Sequence, residues 1–154
     1  MEAARVATPD DLPNVVALAQ SLRGELQSQR GGALWLARDA RPEPLEPALR
    51  ALLDRGDARV FVGTIDGTVV GYATVEIEAL RDGTRLGMIS ELFVEEGARA
   101  VGVGEALADA IFAFCHAAGC VGIDAFALPG ARAAKNFFER SGYTARMLIM
   151  HHPL

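Results

Sequence analysis

Met88-Ile89-Ser90-Glu91-Leu92-Phe93-Val94, then Arg99-Ala100-Val101-Gly102-Val103-Gly104, then Glu105 to Cys115: in order, these segments read as a buried strand, a glycine turn and a helix. The turn has the form R-x-x-G-x-G. The first turn of a helix presents unpaired N–H donors and the positive end of the helix dipole. Glycines let that backbone approach a phosphate without interference from a Cβ atom. The segment therefore predicts an anion site for a phosphorylated ligand, most simply a cofactor held by its pyrophosphate.

The same alternation of elements extends outward from this junction. Upstream, Arg5-Val6-Ala7 reads as a short strand, and Thr8-Pro9-Asp10-Asp11 as a helix start with Thr8 as cap, Pro9 at N1 and Asp11 at N3. Leu12, Val15, Val16, Ala19 and Leu22 follow at helical spacing, and the helix is expected to end near Gly24. Gln27 to Arg41 has no period and holds Gly31-Gly32 and the lone Trp35. A second helix is expected over roughly Glu46 to Arg55. Val60–Thr64 and Val69–Glu78 read as strands joined at Asp66-Gly67, a strong hairpin signal, and Arg81–Thr84 turns the chain into the Met88 strand. Downstream lie a strand at Val121–Phe126, a helix over roughly Ala131 to Ser141 and a terminal strand at Ala145–His151.

The order β-α-α-β-β-β-α-β-α-β is α+β. It predicts a mixed, mostly antiparallel central sheet with helices on both faces. The helix crossing between the fourth and fifth strands makes those two parallel neighbours. With 154 residues the chain is expected to form one domain, 1–154. A hydrophobic content of 51% excludes a disordered chain. A net charge of −5 argues against nonspecific nucleic-acid binding and suits a substrate that carries an amine. The N-terminus lacks a signal-peptide layout and no apolar run approaches membrane-spanning length, so a cytoplasmic protein with no membrane partner is expected. Cys115 and Cys120 read as buried, reduced thiols. Three histidines show no metal-ligand spacing, so no metal is expected.

This order, with R-x-x-G-x-G at the fourth strand-to-helix junction, resembles the GCN5-related N-acetyltransferase (GNAT) superfamily. Ala134-Lys135-Asn136-Phe137-Phe138-Glu139-Arg140-Ser141-Gly142-Tyr143 is similar to the family's A-x-x-F-Y-E-x-x-G-F signature. The resemblance spans essentially the whole chain. It implies acetyl-CoA as cofactor, with the backbone of Val101, Gly102, Val103 and Gly104 around the pyrophosphate and Arg99 and Ala100 completing the turn. It also implies Leu92, Phe93 and Val94 pairing with the pantetheine arm as an added strand would, and Asn136 and Phe138 against the cofactor. The strands on either side of the arm are expected to splay.

Acetyl transfer needs a group to take the amine's proton, a donor to the carbonyl oxygen and a proton source for the thiolate. Many relatives carry a tyrosine acid where this chain has Phe138; water can serve a thiolate instead. Some relatives use a glutamate on the fourth strand at positions matching Met88 or Ser90. Glu91 lies one step away, and alternation points it to the opposite face unless a bulge intervenes. Asp124, in an apolar strand, is the other candidate base. Glu76 and Glu78 share one strand face, either as a solvated surface or as an acidic wall for a cationic substrate. Trp35 and Leu34 either line an acceptor pocket or pack. The reading is an N-acetyltransferase acting on a small-molecule or peptide amine in a ternary complex; an acyl-CoA-binding regulatory module with little turnover is the alternative. An exposed terminal strand would let two copies pair as a homodimer.

Overall fold

The computed structural model describes residues 1–154. Five strands form one sheet in sequence order: β1 (Glu2–Val6), β2 (Ala58–Ile65), β3 (Thr68–Ala79), β4 (Arg85–Val94) and β5 (Gly122–Ala125). The first three pairings are antiparallel and β4–β5 is parallel, as the helix crossing between them requires. Helices α1 (Leu12–Gln27) and α2 (Leu45–Leu53) cover one face. Helix α3 (Val103–Ala117) covers the other, and α4 (Arg132–Arg140) follows β5.

Alternation along the strands divides the core into two layers. Val60, Val62, Tyr72 and Phe93 pack with Leu12, Val15 and Leu49 from α1 and α2. Phe61, Ala73, Val75 and Ile89 pack with Val103, Leu107 and Ile111 of α3. Gly87 sits directly under α3; a Cβ there would stand 2.5 Å from Cys115 Sγ, so a side chain is excluded by packing. The β2–β3 hairpin turns on Asp66 and Gly67 with φ of 47° and 84°, the type I′ geometry that matches strand twist.

The start of α1 follows the capping logic of the sequence. The Thr8 N–H donates to Asp11 Oδ2 at 2.8 Å within a full capping box, and Arg5 Nη1 donates to the same oxygen at 2.7 Å. These contacts, the Arg5 guanidinium foremost, hold the Asp11 carboxyl down at about 2.

Three expectations are corrected. Helix α1 runs through Gly24 to Gln27, because Gly24 is in the helix interior with no neighbour within 4 Å and Leu26 still packs against the core beyond it. The aperiodic stretch is partly helical, with a turn at Gly32–Leu34 and a wider π turn at Trp35–Asp39. The expected terminal strand is absent: residues 145–151 lie in no strand and are exposed, with no sheet edge paired to them. No helix is long and apolar enough to cross a membrane.

Candidate functional site

Strand β4 carries the site, and its behaviour changes along its length. Leu86–Ile89 pair with Gly122–Ala125 of β5, and there the pairing stops. From Ser90 to Val94 the β5-facing edge of β4 has no strand partner. An apolar cleft of about 60 Å³ opens between the parted chains. Ile89, Ser90, Glu91 and Leu92 form one wall; Phe126, Leu128, Ala134 and Phe138 are on the other, and Leu22 and Leu26 of α1 close it.

At the far end of β4 the chain passes through a 3-10 turn at Glu96–Ala98 and into the glycine turn. Ala100 and Gly102 adopt φ of 63° and 102°, and α3 begins at Val103 without a side-chain cap. Ala106 N–H is the first to bond back, to the Gly102 carbonyl at 3.0 Å. The six amides from Ala100 to Glu105 find no acceptor within the chain. A run of unpartnered N–H groups at a helix start is an anion cradle. Gly102 is needed there for its positive φ. Gly104 has a different reason: a Cβ on it would lie 3.0 Å from Phe137 Cε1 of α4, so its bareness lets α4 dock. Arg99 turns back from the cradle. Its Nε donates to the Val94 carbonyl at 2.8 Å, its Nη2 to Glu25 at 2.6 Å, and its guanidinium stacks 5.3 Å from the Phe93 ring centre.

The bulge that alternation demanded for Glu91 is present. Thr74 opposes Glu91 and Val75 opposes Ile89, leaving Ser90 as the extra residue. Ser90 and Glu91 therefore both project onto the face of Tyr72, Thr74 and Glu76: Ser90 Oγ donates to Glu76 at 3.3 Å, and Glu91 meets Tyr72 and Thr74. Glu91 is buried, and each of its carboxylate oxygens accepts a hydrogen bond. Arg41 Nε donates to Oε1 at 2.7 Å, Thr74 Oγ1 donates to Oε1 at 3.3 Å, and Tyr72 Oη donates to Oε2 at 2.5 Å. Burial first, and the Glu91 charge second, push the Tyr72 phenol well above its ordinary value, so it stays protonated and donates. Arg41 ends the loop after α1 and, with Trp35, Arg23 and Leu45, closes a second, water-sized cavity against Glu91. Glu91 thus borders both clefts.

The other sequence candidates are placed as follows. Trp35 is buried and stacks on Phe126, ring centres 6.1 Å apart, tying the loop after α1 to the cleft wall. Leu34 is exposed. Glu76 is half-buried and takes a hydrogen bond from Arg55 Nη1 at 2.6 Å; Glu78 is exposed beyond it. Asp124 is not an isolated carboxylate: Arg146 Nε donates to its two oxygens at 2.8 and 3.0 Å. Phe138 lines the cleft and packs edge-on against Tyr143, whose phenol burial raises. Asn136 is exposed and its side chain bonds nothing in the chain. Cys115 and Cys120 are free thiols, and no group of three or more His, Cys, Asp or Glu side chains is arranged to hold a metal. Sequence reasoning missed Arg41 and Thr74. Neither carries a motif; each is found only by its partner.

A family model described as the acetyltransferase (GNAT) family matches residues 26–143. In structure the chain is similar to a tetramutant of the BH1408 protein from Bacillus halodurans, at 22% identity and a TM-score of 0.83 over 98% of this chain and 99% of that one. It is similar to glucosamine-6-phosphate N-acetyltransferase from Arabidopsis thaliana at 18% identity and a TM-score of 0.71, covering 99% and 98% of the two chains. The aminoglycoside acetyltransferase meta-AAC0020 from an uncultured soil metagenomic sample, in complex with sisomicin, gives 19% and 0.71 over 99% and 95%. No match is found among curated protein sequences. With its mixed sheet, its parted fourth and fifth strands and its glycine turn at the start of α3, this chain belongs to the GNAT acetyltransferase family.

Proposed function

We propose that residues 1–154 act as one N-acetyltransferase domain that moves an acetyl group from acetyl-CoA to a primary amine by direct attack in a ternary complex. The observation that carries this reading is the unpaired β4 edge over Ser90–Val94, which runs from the apolar cleft to six unpartnered amides at the start of α3. A long arm ending in a pyrophosphate fits that combination of an open strand edge and an anion cradle. When bound, acetyl-CoA supplies an activated carbonyl and a thiolate leaving group. The amides of Val101 to Gly104 hold the pyrophosphate, with Arg99 and Ala100 shaping the turn. Leu92 and Phe93 offer backbone to the arm; the Val94 carbonyl already accepts from Arg99. Leu92, Phe126 and Phe138 keep water from the thioester.

Glu91 is the better base of the two candidates, because it borders both clefts while Asp124 is taken by Arg146. Its Oε2 accepts only from Tyr72 and retains a lone pair for the acceptor ammonium, whose proton it takes. Phe138 has no proton to give, so the thiolate is protonated by water. The acceptor enters past Trp35 and Arg41, with Glu76 and Glu78 further along the same sheet face as a route for a cation.

The hold of Arg41, Thr74 and Tyr72 on Glu91 favours a second reading, a domain that holds acyl-CoA with little turnover. Acetyl-CoA titration combined with thiol release across a panel of small and peptide amines separates the two. An enzyme releases thiol with at least one amine, and Glu91→Gln lowers kcat by about 10²-fold with cofactor affinity unchanged. Tight binding with no thiol release supports the module. An unaltered kcat in Glu91→Gln removes Glu91 from the chemistry.

A further inference from the structure

Besides Glu91, one polar residue lines the apolar cleft, and it is Ser90. As the extra residue of the bulge, Ser90 projects onto the same face as Glu91. Its hydroxyl proton goes to Glu76 Oε2 at 3.3 Å. That direction is fixed from the surface side. Arg55, just past α2, donates through Nη1 to Glu76 Oε1 at 2.6 Å, and its Nε donates to Asp57 Oδ1 at 2.9 Å. The Glu76 carboxylate only accepts, so the Ser90 proton is held toward it. A serine oxygen also has lone pairs to offer, and no donor in the chain reaches those of Ser90. An oxygen with unused lone pairs on an apolar wall suits a ligand that donates.

We infer that Ser90 Oγ holds the acceptor nitrogen and makes the site select primary over secondary amines. The inference rests on the acetyltransferase reading and supplies the acceptor contact within it. A primary ammonium carries three N–H donors. One is lost as a proton to Glu91 Oε2, which leaves a neutral amine with its lone pair free to attack the thioester carbonyl carbon. As the C–N bond forms and the C–S bond breaks, a second proton leaves nitrogen for water, and the thiolate takes one from water. The third N–H stays on the amide product and donates to Oγ throughout. An N-methyl amine has one N–H fewer: once Glu91 has acted, its only N–H must leave to complete the amide. It therefore forfeits the Ser90 contact at the chemical step. Glu76 touches no substrate; it is a positioning residue that keeps the Ser90 lone pairs turned to the amine.

The test compares the primary amine of the panel that releases thiol fastest with its N-methyl derivative. Loss of one hydrogen bond to a charged group in Ser90→Ala is expected to raise KM for the primary amine about tenfold. KM for acetyl-CoA stays at the wild-type value, and the preference in kcat/KM for the primary amine falls about tenfold. Glu76→Leu is expected to raise the amine KM in the wild type and to add nothing in Ser90→Ala. A Ser90→Ala variant with wild-type KM and wild-type preference overturns the inference, while thiol release by the wild type leaves the acetyltransferase reading standing. Equal effects of Glu76→Leu in both backgrounds overturn the positioning role. A wild type that releases no thiol with any amine defeats the reading and the inference together.

Discussion

The pairing of Arg41 with Glu91 makes a stability prediction that is independent of catalysis. Their side chains are 13% and 7% exposed, and Arg41 Nε and Nη2 both lie 2.7 Å from Glu91 Oε1. Removing one partner of a buried pair leaves an uncompensated charge, at a cost of about 3–5 kcal/mol. In Arg41→Leu, Glu91 keeps the Tyr72 and Thr74 hydroxyls as donors, which puts the expected loss at about 3 kcal/mol. For a chain of 154 residues that lowers Tm by about 9 °C. Glu91→Met also costs about 3 kcal/mol, divided between the orphaned Tyr72 hydroxyl and the unpaired guanidinium.

The double variant is the decisive measurement. It removes both charges and leaves the Tyr72 and Thr74 hydroxyls without their acceptor, so its cost is about 2 kcal/mol rather than the sum of the singles. The coupling is then about 4 kcal/mol. Urea unfolding followed by Trp35 fluorescence reads it directly, because that lone tryptophan is buried beside Arg41. Additivity of the two single losses to within about 0.5 kcal/mol would refute the reasoning.

Three further outcomes follow from single contacts. Gly87→Ala places a Cβ 2.5 Å from Cys115 Sγ and is expected to cost about 2 kcal/mol, recovered in large part by Cys115→Ala; a thermal melt of Gly87→Ala identical to wild type defeats the packing argument. Asp11 titrates at about 2 when folded against an ordinary 3.8, so its contribution is complete above pH 4 and disappears as the pH falls through 2. Discounted for the half-exposed Arg5, that contribution is at most about 2 kcal/mol. Asp11→Asn should match wild type near pH 2 and fall below it at pH 7, as read by urea midpoints. Phe138→Tyr puts a hydroxyl into the cleft and is expected to leave turnover unchanged or raise it; a large fall with cofactor affinity intact would show that the bare ring shapes the acceptor side.

What the sequence disclosed depended on how local its cause was. The Asp66-Gly67 hairpin, the Thr8–Asp11 cap and the glycine turn into α3 are written in adjacent residues, and each was legible. The parallel β4–β5 pair followed from handedness alone. Arg41 was illegible because its partner is fifty residues away, and a lone arginine between Ala40 and Pro42 carries no local signal. Gly104 was legible as a glycine but not for its reason, which is the Phe137 ring of α4. The terminal segment shows the opposite failure. Residues 145–151 have the composition of a strand, but no strand of the sheet pairs with them, and Arg146 meets β5 only through the Asp124 side chain.

The bulge at Ser90 joins two features that the sequence presents separately. A bulged strand bends and twists more strongly than its neighbours, and pairing often ends there. β4 loses β5 at Ile89, the residue before the bulge, and the apolar cleft begins at that point. The same extra residue reverses the alternation, so that Glu91 leaves the α3 side of the sheet, occupied by Val103, Leu107 and Ile111, and joins Tyr72 on the α1 side. Without it, a carboxylate would point into an apolar layer offering no donor, a position that burial forbids. One residue therefore opens the apolar cleft and turns the carboxylate to face it. This explains how Glu91 comes to share a face with Tyr72 and Thr74.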